Sequence, residues 1–168
     1  DYAFYNCAGI KAVSIPQSLT VIPAYAFYNC TALAELSLPH TVTDIQKRAF
    51  SGCTGLAGLT LPASLKTLGN YAFYNCTGLT EVNYNAENCT SMGSSDYPVF
   101  RGCSNLKTLY IGNEVKFKQV EKKLLSDMES TSLSESGTYI GGEEAFLVKH
   151  HKFTYEDGSA GTFFVITM

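Results

Sequence analysis

Apolar and polar positions along this chain fall into a phase that returns every 23 residues. Cys7, Cys30, Cys53 and Cys76 are each 23 apart, and Cys103 follows after 27, a four-residue insertion. Three and four residues before each cysteine stand Phe4 and Ala3, Phe27 and Ala26, Phe50 and Ala49, Phe73 and Ala72, Phe100 and Val99. Three after come Ile10, Leu33, Leu56, Leu79 and Leu106; six after, Val13, Leu36, Leu59, Val82 and Leu109; eight after, Ile15, Leu38, Leu61, Tyr84 and Ile111. Self-similarity at a fixed period in the twenties marks a one-dimensional stack, because no single unit can bury its own apolar side.

The phase assigns work to each position. Residues six and eight after the cysteine share one face of an extended chain, so each repeat contributes one short strand with that pair pointing inward. A whole turn of solenoid separates successive strands, which must therefore run parallel and pair along the stack. Pro16, Pro39 and Pro62 end the strand, since proline has no amide hydrogen for the ladder. On the return path Leu19 with Ile22, Val42 with Ile45 and Leu65 with Leu68 are three apart, a spacing that predicts a turn of helix or 3₁₀ structure. The residue before the cysteine is Asn6, Asn29, Gly52, Asn75 or Gly102, the two types that best tolerate a left-handed backbone, so a positive φ is expected there. Cys89 and Met92 fall where Val42 and Ile45 fall and are expected in the core, with Gly93 to Pro98 as a bulging loop.

Beyond the repeats the pattern changes. Val120, Leu124, Leu125 and Met128 recur at helical spacing, which predicts an amphipathic helix over Gln119 to Met128 packed on the last repeat. Ser126 to Gly142 is rich in Ser, Thr, Gly and Glu and reads as loop. Ala145 to Tyr155 and Thr162 to Met168 flank Glu156-Asp157-Gly158-Ser159-Ala160-Gly161 and read as a β-hairpin. The expected organisation is a repeat solenoid over 1–117, incomplete at its N-terminal side, and a helix-plus-hairpin segment over 118–168.

The string AFxxCxxLxxLxLPxxVxxI, as in Ala26-Phe27-Tyr28-Asn29-Cys30 through Leu33, Leu36, Leu38, Pro39, Val42 and Ile45, resembles the BspA-like leucine-rich repeats. The resemblance covers residues 1–115 and departs from the pattern at Tyr84 and Asn85. It implies a leucine-rich-repeat solenoid, an α/β-type coil with one short parallel strand per repeat, to which the C-terminal helix and hairpin add a cap or module. It also implies a surface or secreted protein, adhesive in character, and offers no catalytic residues.

Composition narrows this further. The 168 residues are 45% hydrophobic and carry a formal charge of -3, which supplies a core but no basic face for nucleic acid. Residues 112–168 hold nine acids against six bases, while the repeats balance six against six. No run approaches the roughly 18 apolar residues of a membrane span, and no charged stretch followed by a short apolar run reads as a signal peptide. Asp1-Tyr2-Ala3-Phe4 reads as the middle of a repeat. Leaving Ile10, Val13 and Ile15 without a neighbour would expose about 400 Å² of apolar surface, on the order of 10 kcal/mol, so a cap or further repeats are expected upstream.

Reactive chemistry finds little foothold. Cysteines stacked in register have parallel Cβ vectors at about 4.8 Å or more, whereas a disulfide needs Cβ atoms near 3.8 Å aimed at each other, so free buried thiols are expected. There is no CxxC pair for zinc and His40 lies on another part of the coil, so no metal or cofactor is expected. A core cysteine lacks the base and exposure of a nucleophile. His150 and His151 are adjacent, face opposite sides of a strand and cannot share an ion. Glu143-Glu144 and Glu156-Asp157 sit in polar turns rather than a hydrolytic pocket, and no glycine-rich phosphate loop follows a strand. The triplets Asn29-Cys30-Thr31, Asn75-Cys76-Thr77 and Asn88-Cys89-Thr90 match the glycosylation acceptor, yet in the first two the repeat itself explains the asparagine.

Two surfaces remain. The concave sheet face presents Ala12, Ser14, Glu35, Ser37, Gly58, Thr60, Glu81, Asn83, Thr108 and Tyr110, of which Ser14, Glu35, Ser37, Thr60, Glu81, Asn83, Thr108 and Tyr110 are the candidate contacts. A tyrosine row runs two and five residues before the cysteines, Tyr5, Tyr28 and Tyr74 with Tyr2, Tyr25 and Tyr71, interrupted by Arg48, Ser51 and Arg101. The chain is expected to be a non-catalytic, monomeric recognition module that binds a protein or glycan, such as host matrix or another cell surface. The rival expectation is a structural spacer that projects another domain. Neither nucleic acid nor membrane insertion is expected.

Overall fold

In a computed structural model, residues 1–86, 89, 91–93, 97, 99–106 and the backbone of strands between 108 and 167 are described. The inward pairs build the first run of strands: β1 (Ala12–Ser14), β3 (Glu35–Ser37), β5 (Gly58–Leu61), β7 (Glu81–Tyr84) and β9 (Thr108–Ile111). Pairing is parallel, and in register with the repeat: Val13 opposite Leu36, Leu59 opposite Val82, Val82 opposite Leu109. This ladder is interrupted between β3 and β5, where β1 and β3 form a sheet of their own. The break falls at Gly58, a residue type that weakens a strand interior.

The return path is not helical. It makes a single turn, closed by Leu19, Val42 and Leu65 amides donating to the carbonyls of Pro16, Pro39 and Pro62 at 3.0, 3.1 and 3.1 Å. It then extends into a second parallel sheet of two-residue strands, β2 (Val21–Ile22), β4 (Asp44–Ile45), β6 (Thr67–Leu68) and β8 (Ser91–Met92). The coil is therefore a parallel β-solenoid with two strands per turn, in place of an α/β coil with one. Apolar residues three apart suit a helix, but here the first closes the turn and the second enters a strand whose neighbour supplies the pairing.

A third ladder runs along the turns that precede each repeat cysteine, outside any strand. Phe27, Phe50 and Phe73 amides donate to the carbonyls of Ala49, Ala72 and Val99 on the next coil at 2.8, 2.9 and 3.0 Å. Holding this path takes two left-handed residues per turn. One is the expected position, at Asn6, Asn29, Gly52, Asn75 and Gly102 (φ 59, 55, 77, 54 and 78°). The other was not expected: Tyr2, Tyr25, Arg48 and Tyr71, at φ 62, 57, 54 and 57°.

Inside, the phenylalanines form one continuous column. Phe4, Phe27, Phe50, Phe73 and Phe100 stack with successive centroid separations of 5.2, 5.1, 5.3 and 5.7 Å. The cysteines run beside them, and Cys30, Cys53, Cys76 and Cys103 are buried. Each of these thiols donates to the phenylalanine carbonyl of the preceding coil: Cys30 to Phe4, Cys53 to Phe27, Cys76 to Phe50 and Cys103 to Phe73, at 3.1 to 3.2 Å.

The long fourth repeat distributes its insertion. Leu68 pairs with Met92, 24 residues on, so one extra residue precedes Met92 and three follow it. Met92 is buried as expected and accepts a hydrogen bond from the Tyr84 hydroxyl at 3.4 Å. Cys89 packs against the core as expected but is half-buried, with its thiol turned to the Ser91 carbonyl at 3.4 Å. The extra residue lies between Tyr84 and Ala86, so Cys89 keeps the place of Val42 and Leu65 and closes the same turn, its amide donating to the Ala86 carbonyl at 3.1 Å. The expected loop from Gly93 to Pro98 lies mostly outside the described residues.

At the C-terminal side, β10 (Leu133–Ile140), β11 (Phe146–Thr154) and β12 (Ala160–Thr167) pair antiparallel in chain order, and β12 joins β9 in parallel through Phe164 opposite Tyr110 and Val165 opposite Ile111. β10 occupies much of the stretch Ser126 to Gly142 that composition assigns to loop. Its Ser and Thr content masks alternation that pairing with β11 fixes. The helix expected over 119–128 lies outside the described residues.

Candidate functional site

Among the described residues no group of three or more potential metal ligands comes together. No helix among them is long and apolar enough to cross a membrane. Burial pushes the Cys53 thiol far above its ordinary range, with the neighbouring Cys76 and Cys30 adding to the effect. Burial, then the Cys103 thiol, does the same to Cys76. Burial also raises Cys30. His40 is exposed. His150 and His151 lie in β11, opposite Ser136 and Glu135 of β10. Glu143, Glu144, Glu156 and Asp157 are outside the described residues.

The outward residues of the first run of strands alternate with the inward pairs. Ser14, Glu35, Ser37, Thr60 and Glu81 are exposed and Asn83 is half-exposed, with its carboxamide donating to the Thr60 hydroxyl at 3.4 Å. Thr108 and Tyr110 lie in register on β9, opposite Glu81 and Asn83. A shallow groove of about 690 Å³ follows β1, β3 and the start of β5, lined by Ser14, Glu35, Ser37 and the half-buried Leu36. Its floor ends at Gly58, where the ladder is interrupted.

The tyrosine row is a stacked ridge on the turns that precede the cysteines. Tyr2 lies on Tyr25 and Tyr5 on Tyr28, both at 4.9 Å and 8° between planes. Within a coil the rings tilt, Tyr25 to Tyr28 at 53° and Tyr71 to Tyr74 at 60°. The third coil substitutes Arg48 and Ser51. Ser51 is buried, whereas the Arg48 guanidinium lies 4.8 Å from the Tyr71 ring and 5.9 Å from Tyr74. Tyr97 meets Tyr71 edge-on at 5.4 Å.

A second groove escaped the sequence reading. It has a volume of about 670 Å³ and runs along Asn6, Asn29, Gly52 and Asn75 beside Ala8, Thr31, Thr54 and Thr77. The Asn29 carboxamide occupies the space a Cβ on Gly52 would need, and Asn75 does the same at Gly102. The glycines opposite asparagine were the available signal. This packing also gives Asn29 and Asn75 a structural role within their glycosylation triplets.

The fold and its surfaces define a class: a parallel β-solenoid of leucine-rich repeats. The profile of the BspA type leucine rich repeat region matches residues 1–131 in six copies, and the chain belongs to that family. Three solved structures are similar to it. A leucine-rich repeat protein of T. pallidum is 34% identical over 66% of this chain and 50% of its own, with a TM-score of 0.60. One from Bacteroides ovatus is 30% identical over 71% and 29%, with a TM-score of 0.57. The pneumococcal vaccine antigen PcpA is 28% identical over 63% and 25%, also at 0.57. The chain thus spans half or less of each of these proteins. No curated protein matches it.

Proposed function

We propose that this chain is the recognition part of a cell-surface or secreted protein, non-catalytic, and adhesive toward a protein or glycan. The observation that carries the reading is the concave row: Ser14, Glu35, Ser37, Thr60 and Glu81 stand exposed on successive strands of a backbone fixed by three ladders. Such a face holds polar groups in a rigid array, so little conformational entropy is lost when a partner docks. Asn83, Thr108 and Tyr110 continue the array, and Tyr5, Tyr28 and Tyr74 on the ridge form a second contact area. Membership in a repeat family of generally non-catalytic proteins supports the absence of enzymatic chemistry. The likeness to a pneumococcal vaccine antigen supports a surface location. We place the repeat unit at 1–117 and a C-terminal segment at 118–168.

The test replaces Glu35, Glu81 and Tyr110 together in the full-length protein and measures adhesion to immobilised matrix proteins and to a glycan array. Loss of adhesion with an unchanged melting temperature is expected. Unchanged adhesion would leave the chain as a rigid spacer for another domain.

A further inference from the structure

We propose that the tyrosine ridge docks an acidic polypeptide segment, whose carboxylate is taken by Arg48 at the centre of the row. This rests on reading the ridge as a binding surface and names what it binds. Arg48 stands where the neighbouring coils place Tyr25 and Tyr71, and it shares their left-handed backbone. What it does not share is a buried Nε with no hydrogen-bond partner. An unsatisfied buried donor costs about 1–3 kcal/mol, a cost that tyrosine in the same place would avoid. The guanidinium is nonetheless kept, spread over Tyr71 at 4.8 Å, which fixes its plane before any partner arrives.

Charge and ring geometry choose the partner. Lys47, Arg48 and Arg101 are three of the six bases in residues 1–111, in a chain whose net charge is -3. Lys47 also stands near this row, 6.0 Å from the Tyr25 ring. The ridge thus gathers half of the bases of residues 1–111, which makes it complementary to carboxylates. Where tyrosines follow one another between coils they stack face to face at 8°, so each of those rings has one face covered by its neighbour. The electropositive ring edges and phenol hydroxyls suit carboxylates and peptide carbonyls. Tyrosine with arginine is also the composition of protein–protein hot spots.

Arg48→Tyr is the discriminating variant, because tyrosine already occupies that position in neighbouring coils. Binding of a labelled oligo-glutamate peptide to the full chain is measured by fluorescence anisotropy, with heparin oligosaccharides as the glycan polyanion. The expected result is saturable, salt-sensitive oligo-glutamate binding that Arg48→Tyr weakens by at least about tenfold at an unchanged melting temperature. Should Arg48→Tyr fail to fold, Lys47→Gln at an exposed site serves instead, with a loss of a few-fold expected. No oligo-glutamate binding, equal binding by the variant, or a variant-sensitive preference for heparin would each overturn the proposal. Tyr28→Ser with Tyr74→Ser separates the two readings. If that pair abolishes adhesion while Arg48→Tyr leaves oligo-glutamate binding intact, only the acidic partner fails; if neither changes anything, the ridge is not a binding surface.

Discussion

Two aromatic columns run side by side through this solenoid, and the same coil geometry governs both. The phenylalanine column, Phe4 to Phe100, is uninterrupted and, from Phe27 onward, buried. The tyrosine column stacks at a similar distance but gives way to Arg48 and Ser51 in the third coil. Inside, each ring must fill the space its neighbours leave, so the repeat admits one residue type. In the tyrosine row the third coil holds a half-buried Arg48 and a buried Ser51 in place of tyrosine, so the row changes identity without breaking the fold. Variation on the ridge therefore carries information that the core cannot carry.

The largest effect should come from the inner column. Phe50→Ala removes a fully buried ring between Phe27 and Phe73 and should lower unfolding free energy by about 3–5 kcal/mol in denaturant titration. Gly52→Ala comes next, because the backbone there is left-handed at φ 77° and Asn29 fills the space for a Cβ. A loss of about 1–2 kcal/mol from the backbone alone is expected, plus the collision. Asn29→Gly in the same chain should recover the collision part and leave the backbone part.

The thiol row sharpens the contrast through pH. In the unfolded chain a cysteine releases its proton near about pH 8.5, whereas burial makes Cys53 hold its proton well above that. The folded state then binds more protons than the unfolded one above this value. Stability from this group is complete below it and declines as pH rises beyond it. Cys53→Ser should flatten the slope between neutral and strongly alkaline pH in thermal melts. The smallest effect belongs to the outer column: Tyr28→Ser, matching Ser51 one coil on, should shift stability by less than about 1 kcal/mol.

What the sequence made legible follows the same division. The strand pairs, the phenylalanine and cysteine columns and the left-handed site before each cysteine were all visible, because burial and backbone strain restrict residue type. The second sheet was not, since a two-residue strand such as Val21–Ile22 is too short to show alternation. The left-handed site at Tyr2, Tyr25, Arg48 and Tyr71 was hidden as well, because neither tyrosine nor arginine signals that conformation. The insertion divides on both sides of Met92, a partition that only the pairing of β6 with β8 reveals. Of the surfaces, the concave row was readable from alternation alone. The cation resting on Tyr71 joins side chains 23 residues apart and needed coordinates.

The thiol-to-carbonyl bonds have a chemical consequence. An oxidant or alkylating reagent diffusing over the molecule would meet Cys7 and Cys89 first, the two that are half-buried, while Cys30, Cys53, Cys76 and Cys103 stay buried, each bonded to a phenylalanine carbonyl. The repeat can therefore be lengthened by any number of coils without accumulating reactive sulfur at its surface.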